Sequence, residues 1–379
     1  LLTALRIDGA STTMGNDEFV HALEDLERRI DAYSTSGIHY FSFWFHFDPD
    51  GGSKSLAPLF QATKASARHL ELDLNDLLDE QQRVMSPYCH YEEALLLIWT
   101  TPAGLSRAEA SIDRKDRNRA RIGLPRARDA QDLACAVSSL TRRHDTIVEK
   151  MHEDLQALNI ATTVLDKHEF LKVLRGSIDP EYTSEDWQAS LPGDPVAAEV
   201  SMDWRADMSN ALWPKLSEQL FPRAPEHYDT QKVAIGNTLY APLTVKYSQK
   251  DPKPFHSLFV DLKEGQVPWR AHFLIRNDGL SIFRYRIALA ILLRVTPAVE
   301  NKYIIAAKDY LEQLRDSGEN IVKFQMSLCT WGPLDQPDLV ERRQARLVAA
   351  VQAWGGCDVE TAEGDALETM MCSTPGGTL

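Results

Sequence analysis

The sequence is poor in the residues and patterns that mark metalloproteins, secreted domains and membrane spans. It holds 5 cysteines in 379 residues. Cys89, Cys135, Cys329, Cys357 and Cys372 form no CxxC pair, so neither a zinc site nor a disulfide framework is indicated, and a reducing cytoplasm is the expected setting. Positive charge is in deficit: 41 Lys and Arg against 55 Asp and Glu give a net charge of -14. That balance works against a general phosphate-binding surface, so any nucleic-acid contact is expected to be local. The most apolar stretch, Leu280 to Val299, is interrupted by Arg284, Arg286 and Arg294, which are costly at membrane depth; it reads as a core segment. No charged n-region precedes an apolar h-region and the first residue is Leu1, so the chain reads as a processed piece without a signal peptide.

Catalytic signatures are missing as well. Gly51-Gly52-Ser53-Lys54-Ser55 has the composition of a phosphate loop, but Ser53 rather than Gly precedes Lys54, so the backbone nest is not specified and a strand-to-helix turn is expected. Asp48 and Asp50 lack the acidic residue that closes a twelve-residue calcium loop. Cys89-His90 places neighbouring side chains on opposite faces of an extended chain, which favours a structural role over metal binding. Neither Gly-x-Ser-x-Gly nor His-Glu-x-x-His occurs; His168-Glu169 continues Phe170-Leu171-Lys172. Carboxylate pairs such as Glu92-Glu93, or Glu226 and Asp229, are expected by chance in so acidic a chain and read as solvated surface.

What is present is the patterning of an α+β protein. At 379 residues the chain exceeds the usual size of a single core. Two mixed α/β subdomains, 1–105 and 231–379, are expected, joined by a helical and irregular region, 106–230. A strand over Leu2 to Ile7 and a helix from Asn16 to Tyr33, with Phe19, Leu23, Leu26 and Ile30 as its core stripe, lead to the strand whose one face is Phe41, Phe43, Phe45 and Phe47. One long helix through Leu56, Leu59, Phe60, Thr63, Ala67, Leu70, Leu74, Leu77 and Leu78 is expected to pack on that sheet, before a strand from Tyr91 to Trp99. Residues 106 to 158 read as helical and 176 to 230 as irregular. Apolar runs at Lys232 to Tyr247, Phe255 to Leu262 and Ala271 to Ile275 read as short strands of a second sheet. A helical stripe, Tyr303, Ala307, Tyr310, Leu311 and Leu314, precedes an alternating strand, Val322 to Leu328, and a final helix begins near Pro337. This closing strand, helix, strand order repeats the opening of the chain, without a repeat of fixed period.

The strongest departure from composition is the basic cluster Arg114, Lys115, Arg117, Arg119, Arg121, Arg126 and Arg128. It suits anionic lipid, nucleic acid or an acidic partner, or else forms a solvated or internally paired face diluted by Asp113, Asp116 and Asp129. Trp187, Trp204 and Trp213 in the irregular middle anchor either loops or a partner.

Two stretches carry a family resemblance. Residues 1 to 105 contain Ile7-Asp8-Gly9, Gly37-Ile38-His39-Tyr40 leading the aromatic strand, the Asp48-Pro49-Asp50 turn and the Tyr91 to Trp99 strand. Residues 321 to 377 contain Gln325-Met326, Thr330-Trp331-Gly332, Gln352-Ala353-Trp354-Gly355 and Ser373-Thr374-Pro375-Gly376. In this order they resemble the N-terminal region of conjugative-transfer and type IV secretion ATPases, in particular the IcmB/DotO and TraU branch. The resemblance implies a docking and assembly domain, peripheral at the cytoplasmic face of the inner membrane, that attaches a motor to the inner-membrane complex and self-associates. The family's motor, with its ATP, magnesium and Walker motifs, is not in these residues, so no catalytic, cofactor or metal residue is expected here. The alternative expectation is a stand-alone enzyme whose site is built from scattered residues.

Overall fold

Alternation and helical periodicity assemble one sheet from both halves of the chain. The computed structural model describes residues 1–34, 38–102, 105–121, 138–184, 186–191, 194, 214–247, 253, 255–264, 266–276, 323–362 and 365–377. Leu2–Ala10 (β1) leads through Asn16–Ser34 (α1) to His39–Asp48 (β2). Gly52–His69 (α2), Asn75–Met85 (α3) and the 3-10 turn Ser86–Tyr88 precede Tyr91–Thr100 (β3). Then come Arg107–Arg121 (α4), Ser138–Ala157 (α5), Ile160–Val164 (β4) and Lys167–Ile178 (α6). Leu216–Leu220 (α7), Glu226–His227 (β5), Val233–Ile235 (β6) and Thr238–Tyr247 (β7) follow. Phe255–Glu264 (α8), Trp269–Arg276 (β8), Lys323–Pro333 (β9), Pro337–Ala353 (α9), Asp358–Thr361 (β10) and Ala366–Cys372 (α10) complete the described elements.

The ten strands form a single antiparallel sheet in the order β4-β1-β3-β2-β8-β9-β7-β6-β5, with β10 also on β7. Within it the β-α-β-β-α-β arrangement of the split βαβ motif occurs twice. Strands β1, β2, β3 and β4 with α1 and α5 make the first unit, in the order β4-β1-β3-β2. Strands β7, β8, β9 and β10 with α8 and α9 make the second, in the order β8-β9-β7-β10. The units meet edge to edge, β2 against β8, from Phe41 opposite Ile275 to Phe47 opposite Trp269. This antiparallel join relates the two units as an isologous dimer interface relates two subunits. It also removes two exposed strand edges that would otherwise template aggregation.

One sheet face is apolar and covered by helices from both units. Leu26 and Ile30 of α1 and Ile147, Met151 and Leu155 of α5 pack on Leu5, Phe41, Leu96 and Ile98. Leu258 and Leu262 of α8 and Leu347 and Val351 of α9 pack on Phe47, Leu243, Trp269, Phe273 and Leu328. The other face receives α6 and α10 against Tyr240, Cys329, Val233 and Ile235, while Leu165, Phe170 and Val173 cover Trp44, Leu95 and Leu97. Strand β3 is buried on both faces, so its Leu95 to Ile98 run is continuous rather than alternating.

Several expectations are corrected, and the expected second sheet is part of this single one. The long helix is two helices, because Leu70 to Leu72 form a Schellman-type stop: Leu72 N donates to Ala67 O at 2.9 Å and Glu71 N to Arg68 O at 3.1 Å, with Glu71 left-handed at φ 56. Glu at that position hid the stop. Nor does this helix pair lie on the sheet: among the described residues its buried cluster is Leu56, Phe60 and Leu78 with Cys89 packed alongside. Phe255 to Leu262 is helical, not a strand; Phe255, Leu258, Phe259 and Leu262 follow the i, i+3, i+4, i+7 spacing and line one face. In α1 the inner stripe is Leu26 and Ile30, whereas Phe19 and Leu23 are exposed. Strand β4, inside the stretch read as a connecting region, pairs with β1. The Leu280–Val299 and Tyr303–Leu314 segments lie outside the described residues.

Candidate docking surfaces

Helix α4 carries the described part of the basic cluster. It opens with a capping box: Ser106 Oγ accepts from Glu109 N at 3.3 Å, and Glu109 Oε2 accepts from Ser106 N at 2.8 Å. The Ser106 contacts and then Arg143, at 2.8 Å, hold the Glu109 carboxyl at about 2. Glu109, Asp113 and Asp116 recur at i, i+4 and i+7 and therefore share a face. That face meets α5: Asp113 Oδ1 accepts from Ser139 N at 2.9 Å and Asp116 Oδ2 from Ser138 Oγ at 2.7 Å. Asp113 and Asp116 are thus turned towards α5, and Arg107, Arg114 and Lys115 are exposed; Asp129 lies outside the described residues. Arg117, Arg119 and Arg121 belong to α4; Arg126 and Arg128 lie outside the described residues.

A larger departure from an ordinary surface lies at residues 49–90. Strands β2 and β3 are antiparallel neighbours, and such a pair can be joined by a two-residue turn. Here the connection carries the α2–α3 arm instead. Gly52 lets its base approach the chain closely, since a Cβ there would stand 2.1 Å from Ser86 O and 2.5 Å from Cys89 O. Beyond the base the arm leaves large apolar side chains in solvent: Leu59 is 66% exposed, Leu77 63% and Tyr88 87%, and Leu70, Leu72, Leu74, Val84 and Met85 are exposed too. Scattered exposed leucines need no explanation, but so many on one short arm make it a candidate interaction surface. Sequence periodicity could not reveal it, because the same leucines fit a helix buried on the sheet.

The join between the two units is polar on its covered face. Arg270 and His272 of β8 are buried there beside Trp44 of β2. Trp44 Nε1 donates to Ser373 O at 3.0 Å, Arg270 Nε to Ser373 Oγ at 2.9 Å, and His272 Nδ1 to Cys372 O at 3.1 Å. Arg270 also donates to Ser177 O and sits 5.3 Å over the Tyr240 ring. Burial lowers the His272 pKa to about 4, against the carbonyls of Cys372 and Gly377. The buried imidazole and guanidinium tie the chain after α10 across the join.

Two of the clefts lie beside these residues. One, of about 630 Å³, lies over the apolar face of the join among Phe43, Phe45, Phe255, Phe273, Phe324 and Trp354. Cys357 also lines it, but burial pushes that thiol's pKa up, away from the reactive thiolate. The other, of about 600 Å³, contains Asp48, Asp50, Glu181, Asp335, Trp331 and Arg343, and Arg343 stands 3.6 Å from Asp50.

The residues weighed for chemistry take structural positions. Asp48 Oδ1 accepts from Asp50 N at 3.0 Å in a turn that leads into α2. His90 Nε2 is 2.8 Å from Glu92, and Tyr91 donates to Glu93 at 2.9 Å. Glu169 completes a capping box with Asp166 at the start of α6, and Asp229 accepts from Gln231 N and Lys232 N at 2.7 Å. Trp187 lies under the Arg175 guanidinium at 4.5 Å; Trp204 and Trp213 lie outside the described residues. Among the described residues no three His, Cys, Asp or Glu side chains converge on a point that could hold a metal ion. No described helix is long and apolar enough to cross a membrane. No family model matches the chain, and no curated protein matches its sequence.

Proposed function

We propose that this chain is a docking and assembly module: the N-terminal portion of a conjugative-transfer or type IV secretion ATPase, attaching its motor to the inner-membrane complex. The observation that carries the reading is the α2–α3 arm, an excursion between two paired strands that buries a small cluster and presents an apolar surface. The exposed basic residues of α4 add a second contact, suited to an acidic protein surface and able to speed encounter despite the overall negative charge. The two stretches that resemble the transfer ATPases fall on this same sheet, one around β1 to β3 and the other around β9 to α10. Protein partners at the cytoplasmic face, peripheral attachment and self-association belong to this proposal. A stand-alone enzyme is the alternative, and substrate turnover by the purified chain would favour it.

Two sets of variants test the proposal. Leu59→Glu with Leu77→Glu on the arm, and Arg117→Glu, Arg119→Glu and Arg121→Glu on α4, should each reduce co-purification of the native protein with its membrane complex. The α4 set should act more strongly at low salt, where screening is weaker. Unchanged co-purification in both sets, with circular dichroism and melting preserved, would overturn the docking reading.

A further inference from the structure

We infer that the exposed face of α3 receives one amphipathic helix of a partner protein, apolar at alternating three- and four-residue spacing and carrying Lys or Arg along one flank. The inference rests on the docking reading and names the chemistry of what docks. Leu74, Leu77, Gln81, Val84 and Tyr88 follow one another at steps of three, four, three and four, from the N-cap of α3 through the 3-10 turn after it. That spacing is the seam of a helix pair. In a helix already satisfied by its own fold the seam would face inward; here the inward position is Leu78, packed on Leu56 and Phe60, and the four apolar residues of the seam are exposed. A second helix laid along it would bury all four, as helix-in-groove recognition does.

The flanks decide which helix. At about 100° per residue, Glu80 stands beside one edge of the seam with Asp76 and Arg83 further round, and Met85 stands beside the other. Asp76, Glu80, Arg83 and Met85 are all exposed, so one edge carries two carboxylates against one guanidinium and the other is uncharged. Glu80 already meets Arg83 at 2.7 Å, but both are in solvent, where such a pair is worth little and can be re-formed with an incoming cation. A second copy of this chain fits less well. Two α3 helices paired antiparallel about Gln81 bring Glu80 of each onto the same edge, and like charges so placed repel. An anionic lipid surface is disfavoured by the same carboxylates.

Fluorescence anisotropy of synthetic 21-residue helices on the purified full chain tests the inference. One peptide carries Leu at both seam positions with Lys on its flanks, and another keeps the Leu seam with Glu flanks. The Lys-flanked peptide should bind at least about tenfold more tightly than the Glu-flanked one. Leu77→Ser and Val84→Ser should each weaken its binding by about tenfold, and Gln81→Leu should strengthen it, because the polar seam position is then filled. Leu77 and Val84 are exposed, so circular dichroism should not change. Equal binding of the two peptides, or binding indifferent to Leu77→Ser and Val84→Ser, overturns the inference. Arm-dependent dimerisation in sedimentation, or arm-dependent binding to vesicles in place of the peptide, overturns it as well. Loss of membrane co-purification in the arm variants, together with no peptide discrimination, would leave docking standing and reject the helical partner.

Discussion

Leu77 and Leu78 are neighbours in α3 with opposite surroundings, 63% and 7% exposed, so truncating each to Ala separates the arm's fold from its surface. Leu78 packs on Leu56, Phe60 and Cys89. Removing a buried leucine side chain costs ~2–5 kcal/mol, with the low end applying where neighbours can relax; a small cluster at the edge of the fold sets the expected loss at about 2 kcal/mol. Leu77 contributes roughly a third of a leucine's burial, so its loss should cost no more than about 0.5 kcal/mol. Native-state hydrogen exchange of the amides in α2 and α3 reads the opening of the arm directly, without requiring the whole sheet to unfold. Leu78→Ala should raise exchange across both helices by about thirtyfold, following from 2 kcal/mol, and Leu77→Ala by less than threefold. Comparable increases in the two variants would mean that Leu77 is buried in solution and that the exposed seam does not exist.

Three further outcomes are expected. His144 and His272 are held neutral, both lowered from 6.5 to about 4 chiefly by burial; the unfolded chain binds these protons below about 6.5 and the folded chain does not. Stability should therefore be complete above pH 6.5 and fall as pH drops towards 4; a urea midpoint that stays flat from pH 7 to 4.5 would contradict it. Arg270→Ala should lower stability by ~3–5 kcal/mol, because it opens a cavity and strands the acceptors at Ser177 and Ser373; a change below about 1 kcal/mol in denaturant titration would remove the join from the account. Gly52→Ala should cost ~1–3 kcal/mol by driving a Cβ into the Ser86 and Cys89 carbonyls, read as lower protection of α2 amides; unaltered protection would show that the base of the arm has room.

The sheet was more legible than its use. Alternation in Phe41 to Phe47 and the run Leu95 to Ile98 identify β2 and β3, and helical spacing identifies α1, α5 and α9. A repeated strand, helix, strand order was visible at the two ends of the chain, but the full duplication was not, because the two units share topology and not a residue pattern: β2 presents four phenylalanines to the apolar face where β8 presents Trp269, Ala271, Phe273 and Ile275. Burial separated what periodicity could not. The leucines of the α2–α3 arm satisfy a helical stripe equally well buried or exposed, and only the structure shows that most of them are exposed. On α4 the reverse happened, since Asp113 and Asp116, two of the three acids read as diluting the basic cluster, are spent on α5. The break between α2 and α3 was hidden by Glu71, which occupies a left-handed position where glycine would have announced it.

Photo-crosslinking from position 77 in the native cell is the most direct measurement of the docking proposal. With a photoreactive residue in place of Leu77, the account predicts a crosslink to a protein of the inner-membrane complex. The same probe at Leu78, which faces Leu56 and Phe60, should give none. Absence of any partner adduct at position 77, in cells where the complex is assembled and the protein is folded, would contradict the claim that this arm docks.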